Sequence, residues 1–314
     1  MAEKNKGINN TLYKAREKAK EEIELKKALE ALLTADLIMF YQQLADDFNT
    51  VYSATGEILN LNESYIDELK ALLKKNYRRV GNHFGRSTRQ SIEDIMDLDV
   101  YEIIPEVAKS LDDRIGMALG AFFILRSDDI APKIANTVRD EMIQRTQTAI
   151  LQAVEKAKEA GVAPVINNAE IAGTVGEQLK LWGENHAPTV SVTEVQAVAE
   201  ESKYTEQAEI IKDTAESDDN EYDITELQAG AEKLWITAGD EKVRESHQAI
   251  DATLIPADSL FTTGAGSLMR YCGDMSLGAP LSDVINCRCE TIFRYNAEVT
   301  MIITNHIFRR KGIA

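Results

Sequence analysis

Four residues near the end of the chain could do chemistry by type: His247, Cys272, Cys287 and Cys289. All three cysteines and one of the four histidines fall there. Thiolates and imidazoles suit a borderline-soft cation, and four such donors could make a tetrahedral zinc site. On an extended backbone, Cys287 and Cys289 would turn both thiols to one side. The same extension holds their backbones too far apart for an easy disulfide. The spacing H-x24-C-x14-C-x-C is not that of a zinc finger. No cofactor is therefore certain, and zinc is the one these residues could hold.

A second pattern overlaps the first. Arg244, His247 and Asp251 sit at i, i+3 and i+7, one face of a helix that Asp240 could cap and Glu241 would favour. Asp251 could orient the His247 imidazole, and Arg244 could bind an anion. Nothing completes a catalytic set. There is no G-x-S-x-G, P-loop, dinucleotide fingerprint or H-E-x-x-H, and no second histidine is placed near the cysteines. The expectation is a binding protein without turnover. Trp235, Asp240, Arg244, His247, Asp251, Asp274, Asn286 and Arg288 would form a buried polar network that fixes a small, loop-rich module.

The elements that must position these residues divide the chain. Residues 1–161 read as a helical domain. Leu33, Leu37, Tyr41, Leu44, Phe48 and Val51 recur at helical steps, as do Ile66, Leu69, Leu73 and Tyr77 after a cap at Asn62. Ile115–Leu125 is too short to span a bilayer and reads as a buried helix, packed closely at Gly116 and Gly120. Pro105 fits a helix's first turn, and Pro132 opens a long helix through Ile134, Val138, Met142, Ile143, Ala149, Ile150 and Val154. Residues 162–232 read as an acidic insertion or linker, with short helices at Val192–Ser202 and Ile224–Leu234. Its run Glu216–Asp223 lacks the glycine of a calcium loop and reads as solvated. Trp182 and His186 receive no chemistry. Residues 233–296 form the module, and 297–314 a C-terminal strand at Val299–Thr304 with a basic tail at Arg309, Arg310 and Lys311. The fold class is α+β: mainly helical at first, then a small α+β module.

The module's residues carry a family resemblance. Trp235, Asp240, Arg244, His247, Asp251, Tyr271, Gly273, Asp274 and the run Ile285-Asn286-Cys287-Arg288-Cys289 resemble the C-terminal domain of the phage Mu F-like minor head proteins, also called head morphogenesis proteins. Ile143-Gln144-Arg145-Thr146-Gln147 is similar to an element that often precedes that domain. Two positions depart: Ala252 stands where the family has glycine, which points to a different turn, and Cys272 stands where it has proline. The resemblance implies a structural protein in the head of a tailed phage, assembled in the bacterial cytoplasm and placed near the portal. Its partners would be portal and capsid proteins, with a role in head morphogenesis or genome delivery. A virion-carried hydrolase or toxin-like effector is one alternative, because Mu F-like domains are sometimes joined to toxin domains, and an internal DNA-binding protein is another.

Composition bounds these readings. A net charge of −17 opposes general nucleic-acid binding, which needs a positive field. One basic block runs against it: Lys74, Lys75, Arg78, Arg79, Arg86 and Arg89, interleaved with Tyr77, His83 and Phe84, could contact packaged DNA. No apolar run reaches membrane-spanning length, so no membrane contact is expected in the assembled state. No apolar leader follows the charged start Met1-Ala2-Glu3-Lys4. Three cysteines without an export signal suggest a reducing compartment.

Overall fold

The computed structural model describes residues 2–85, 107–217 and 222–310. Expectations resting on Arg86, Arg89, Pro105 and residues 218–221 lie outside them, and the basic cluster at 309–311 lies outside the described side chains.

Four long helices come first: α1 (Ala2–Thr55), α2 (Glu63–Phe84), α3 (Val107–Glu159) and α4 (Asn168–Ala215). A small α+β module follows, with α5 (Ile224–Ala229), β1 (Ala231–Ile236), α6 (Glu245–Gln248), β2 (Leu254–Pro256), β3 (Phe261–Thr262), β4 (Leu268–Met269), α7 (Leu281–Val284), β5 (Glu290–Tyr295) and α8 (Ala297–Arg310). The α+β class read from the sequence is the one observed. No described helix is long and apolar enough to cross a membrane.

Several local expectations are corrected. Pro132 lies inside α3 rather than at its start. The backbone hydrogen bond it removes is offset by burial on either side, at Ile130, Ala131, Ile134 and Ala135. Residues 192–202 are not a separate short helix but part of α4. Gly116 and Gly120 face open space, so neither serves close packing. Residues 299–304 form helix α8, not a strand. Their β-branched run is overruled by an N-cap, because the Asn296 side chain accepts the Val299 N–H at 2.8 Å.

The chain forms two compact units, one of Glu30–Asn76 and Phe123–Ser191, the other of Met1–Leu29, Tyr77–Phe122 and Val192–Ala314. The first is all helical. Leu33, Leu37, Tyr41, Leu44 and Phe48 of α1 are buried at the spacing the sequence shows, as are Leu69 and Leu73 of α2 and Ile134, Val138 and Met142 of α3. Trp182 and His186 stack with centroids 4.5 Å apart, and the Tyr41 hydroxyl meets His186 Nδ1 at 3.1 Å. Gly183 is required there: a Cβ would lie 2.6 Å from Tyr41 Cβ.

The second unit holds the module. Its sheet has the order β2-β1-β5, antiparallel throughout, and a short β3-β4 hairpin stands apart from it. The β1–β5 register pairs Lys233 with Phe293, Trp235 with Thr291 and Ile236 with Glu290. Alternation splits the strands between two faces. Leu234, Ile236 and Ile292 pack on Ala15 and Ala19 of α1. On the other face, Trp235 joins Phe261, Met269, Val284 and the three cysteines in one buried cluster. Another buried cluster gathers Ile210, Ile211, Leu227, Phe293, Val299 and Ile303.

Candidate functional site

His247 projects from α6, a single turn, into the Trp235 cluster. Cys287 and Cys289 lie just before β5 and turn both thiols toward it: the Sγ atoms are 3.7 and 3.5 Å from His247 Nδ1. The three donor atoms lie within 4.8 Å of one another, and all three residues are buried. No cysteine is in a disulfide. Cys272 is fully buried in the same cluster but stands outside this set of three among the described residues. Its amide donates to Thr291 Oγ1 at 2.9 Å.

The other imidazole nitrogen meets a carboxylate, but not the expected one. His247 Nε2 is 3.2 Å from Asp283 Oδ1, at ion-pair distance and off the line of a well-formed hydrogen bond. Ser246 Oγ donates to Asp283 Oδ1 and Thr263 Oγ1 to Oδ2, both at 3.0 Å. Asp251 is turned away. It accepts the Thr237 N–H at 2.9 Å and the Thr237 hydroxyl at 3.0 Å, and it pairs with Arg16 at 2.7 Å. The physical reason is helix length: α6 ends at Gln248, so Asp251 is no longer one helical turn from His247. Asp240 does not cap α6, which begins at Glu245; it caps a turn through the Lys242 N–H.

The residues expected to share one network make several local ones. Arg244 donates to the carbonyls of Ser282 and Ile285, tying α6 to α7. Asp240 and Arg288 form a bidentate pair. Asp274 accepts from the Arg270 backbone and guanidinium, while Arg270 also reaches Glu201. The Asn286 N–H donates to Thr193 Oγ1 at 3.2 Å. The Trp235 ring meets the His247 ring edge-on at 5.2 Å. Ala252 has φ +60, so the turn keeps a left-handed conformation without glycine, contrary to the expectation of a different turn.

Electrostatics separate the sulfurs. Cys287 is held well below the usual thiol value, first by a hydrogen bond from Cys289 and, against burial, by His247. Cys289 is pushed up by Cys287 and by burial, and Cys272 mainly by burial. Burial opposes a charged His247, yet the Cys287 thiolate and Asp283 raise its pKa.

Sequence reasoning missed a second buried cluster. Lys26 Nζ reaches Glu200 at 2.7 Å and both Glu290 oxygens at 2.8 Å. Lys203 Nζ reaches Glu22 at 2.7 Å and Glu290 at 2.9 Å. Both ammonium groups lie near the Phe84 ring, at 5.5 and 5.9 Å. Burial favours the neutral form of Glu200, but Lys203 and Lys26 overrule it and hold the carboxyl at about 2. Glu290 goes the other way, raised by burial beyond what the two lysines counter. Lys233 is also buried; it donates to the Arg270 carbonyl at 2.6 Å and is pushed down to about 8, chiefly by burial. In sequence these residues look like ordinary charges on solvated elements.

The described part of the basic block offers less than its sequence suggests. Tyr77 and Phe84 are buried, with the Tyr77 hydroxyl on Glu194 at 2.6 Å, so neither ring can stack on a base. Lys75 pairs with Asp36.

Comparison with known proteins redirects the functional reading. The chain is 25% identical over 267 residues to NAD(+)--arginine ADP-ribosyltransferase EFV of Enterococcus faecalis, an alignment that covers 72% of this chain and 53% of that enzyme. It thus spans about half the length of the curated relative it matches. No family model matches the chain, and no solved structure does. The expectation of a phage Mu F-like minor head protein, with its virion, portal and head-morphogenesis roles, is corrected by these findings. The expectation that the chain is not an enzyme is corrected by the same relative, which is named for a transferase.

Proposed function

We propose that the chain belongs to a toxin-like effector that moves ADP-ribose from NAD+ to arginine. The similarity to the Enterococcus enzyme over 72% of this chain supports that reading. In such a transfer the bond from ribose C1′ to nicotinamide breaks. A bond from C1′ to a guanidinium nitrogen forms, and nicotinamide and a proton leave. A carboxylate facing C1′ would stabilise the positive charge developing there. Glu200 and Glu290 are not available for this, because both are fully buried and bound to Lys26 and Lys203.

The test is direct. Purified chain is incubated with adenylate-labelled NAD+ and agmatine, a small guanidine that mimics the arginine side chain. Free nicotinamide and labelled agmatine are expected in equal amounts. Nicotinamide release at the protein-free rate overturns the assignment of this activity to the chain.

A further inference from the structure

We propose that His247 Nδ1, Cys287 Sγ and Cys289 Sγ are ligands of one zinc ion that holds the C-terminal module together. The three donors come from two separate segments, α6 and the approach to β5, and converge within 4.8 Å in a buried site. Two sulfurs and one imidazole nitrogen match zinc by softness, and oxygen-seeking calcium or magnesium would not choose them.

The surroundings fit a metal better than a free thiol pair. A ligating imidazole usually presents its second nitrogen to a carboxylate, which fixes the ring. Asp283 stands 3.2 Å from His247 Nε2 and is itself held by Ser246 and Thr263. The Trp235 indole N–H is fully buried in the same cluster and has no hydrogen-bond acceptor. Gln196 fixes the backbone from outside, donating to the Cys289 carbonyl at 2.7 Å. Arg244 ties the two ligand segments through the carbonyls of Ser282 and Ile285.

The need for a staple follows from the local fold. Between β1 and β5 the regular structure consists of strands of two or three residues and helices of four. Such a region has little regular structure to hold it, and a metal can supply the missing stability. Binding would displace any protons left on the two thiols. The metal would be present whether or not the chain transfers ADP-ribose.

Metal content of the full chain, purified without added metal and measured by mass spectrometry, decides the matter. About one zinc per chain is expected, with loss in Cys289→Ser and in His247→Ala. Cys272→Ser is expected to keep its zinc, since Cys272 lies outside the ligand set. Because the ligand variants could fail to fold, the wild-type chain is also exchanged with cobalt. A thiolate-to-cobalt charge-transfer band with the strong visible bands of a tetrahedral ion is expected. A folded, metal-free wild-type chain whose Cys287 and Cys289 alkylate as fast with chelator as without overturns the proposal. So does a Cys287–Cys289 disulfide, seen as an intact mass lower by two hydrogens and located by peptide mapping. Zinc lost on Cys272→Ser overturns the three-residue ligand set.

Discussion

Two polar clusters are buried in the same unit, and they handle removal from water in opposite ways. The cluster of Lys26, Lys203, Glu22, Glu200 and Glu290 brings its own counter-charges. Two ammonium groups face three carboxyls, and burial raises Glu290 toward its neutral form, which would bring the charges into balance. The cluster of His247, Cys287 and Cys289 brings donors of one kind. No lysine or arginine hydrogen-bonds to its sulfurs among the described residues. A self-neutral cluster is complete within the chain. A set of convergent soft donors is complete with a cation. Buried polar residues thus do not share one meaning: the lysine–carboxylate cluster answers to the cost of isolated charge, the thiol–imidazole cluster to ligand geometry.

The comparison can be broken most severely at a lysine. Lys26→Met removes one of the two ammonium groups that Glu200 and Glu290 share, leaving Lys203, and should cost about 3–5 kcal/mol in chemical denaturation. A cost under about 1 kcal/mol would mean the cluster is not self-neutralising. Next comes Asp283→Asn, nearly the same shape without the charge that orients His247. Zinc affinity should fall about 10–100-fold in a chelator competition while the fold persists. Unchanged affinity would remove Asp283 from the site.

Glu290→Gln should cost less than about 1 kcal/mol, because an amide resembles the protonated carboxyl that the cluster prefers. Its pH signature is sharper than its size. Glu200 has a depressed value, about 2 against about 4.3 in the unfolded chain, so its contribution is present above about 4.3 and is lost as pH falls toward 2. Glu290 is raised, so its contribution is full below about 4.3 and is lost as pH rises through its folded value. Urea midpoints across pH should therefore lose, in Glu290→Gln, the decline that sets in as pH rises above about 4.3, and keep the acid one. The smallest expected effect is a control outside both clusters. Ala252→Gly should stabilise the module by about 0.5–1 kcal/mol, since relief of the left-handed strain exceeds the entropy glycine adds to the unfolded chain. Zinc content should not change.

The thiol cluster was legible because its residues are rare and one pair is adjacent in the C-x-C run. The helices were legible because Leu33, Leu37, Tyr41, Leu44 and Phe48 repeat at helical steps. Asp283 was not, because the apparent partner Asp251 depended on a helix that stops at Gln248. The lysine–carboxylate cluster was hidden by distance along the chain: Lys26 and Glu290 are 264 residues apart. Glu200 and Lys203, three apart, look like a surface helix pair until both prove buried. Asn296 was a readable cap before residues 299–304, but their β-branched side chains argued more loudly for a strand. The functional expectation fails for another reason: its resemblance rests on residues 235–289 alone, whereas the similarity to the transferase extends over 72% of the chain.

The alternation along β5 has a consequence for folding fidelity. Cys289 and Glu290 are neighbours that serve opposite faces, the thiol toward His247 and the carboxyl toward Lys26 and Lys203. A strand that zipped up one residue out of frame would carry an acid in among the sulfurs and leave a thiol wedged between two ammonium groups. Neither side could tolerate the exchange, so the mispaired chain would lose both clusters together. The strand thereby carries its own frame marker, and the two chemistries proofread each other.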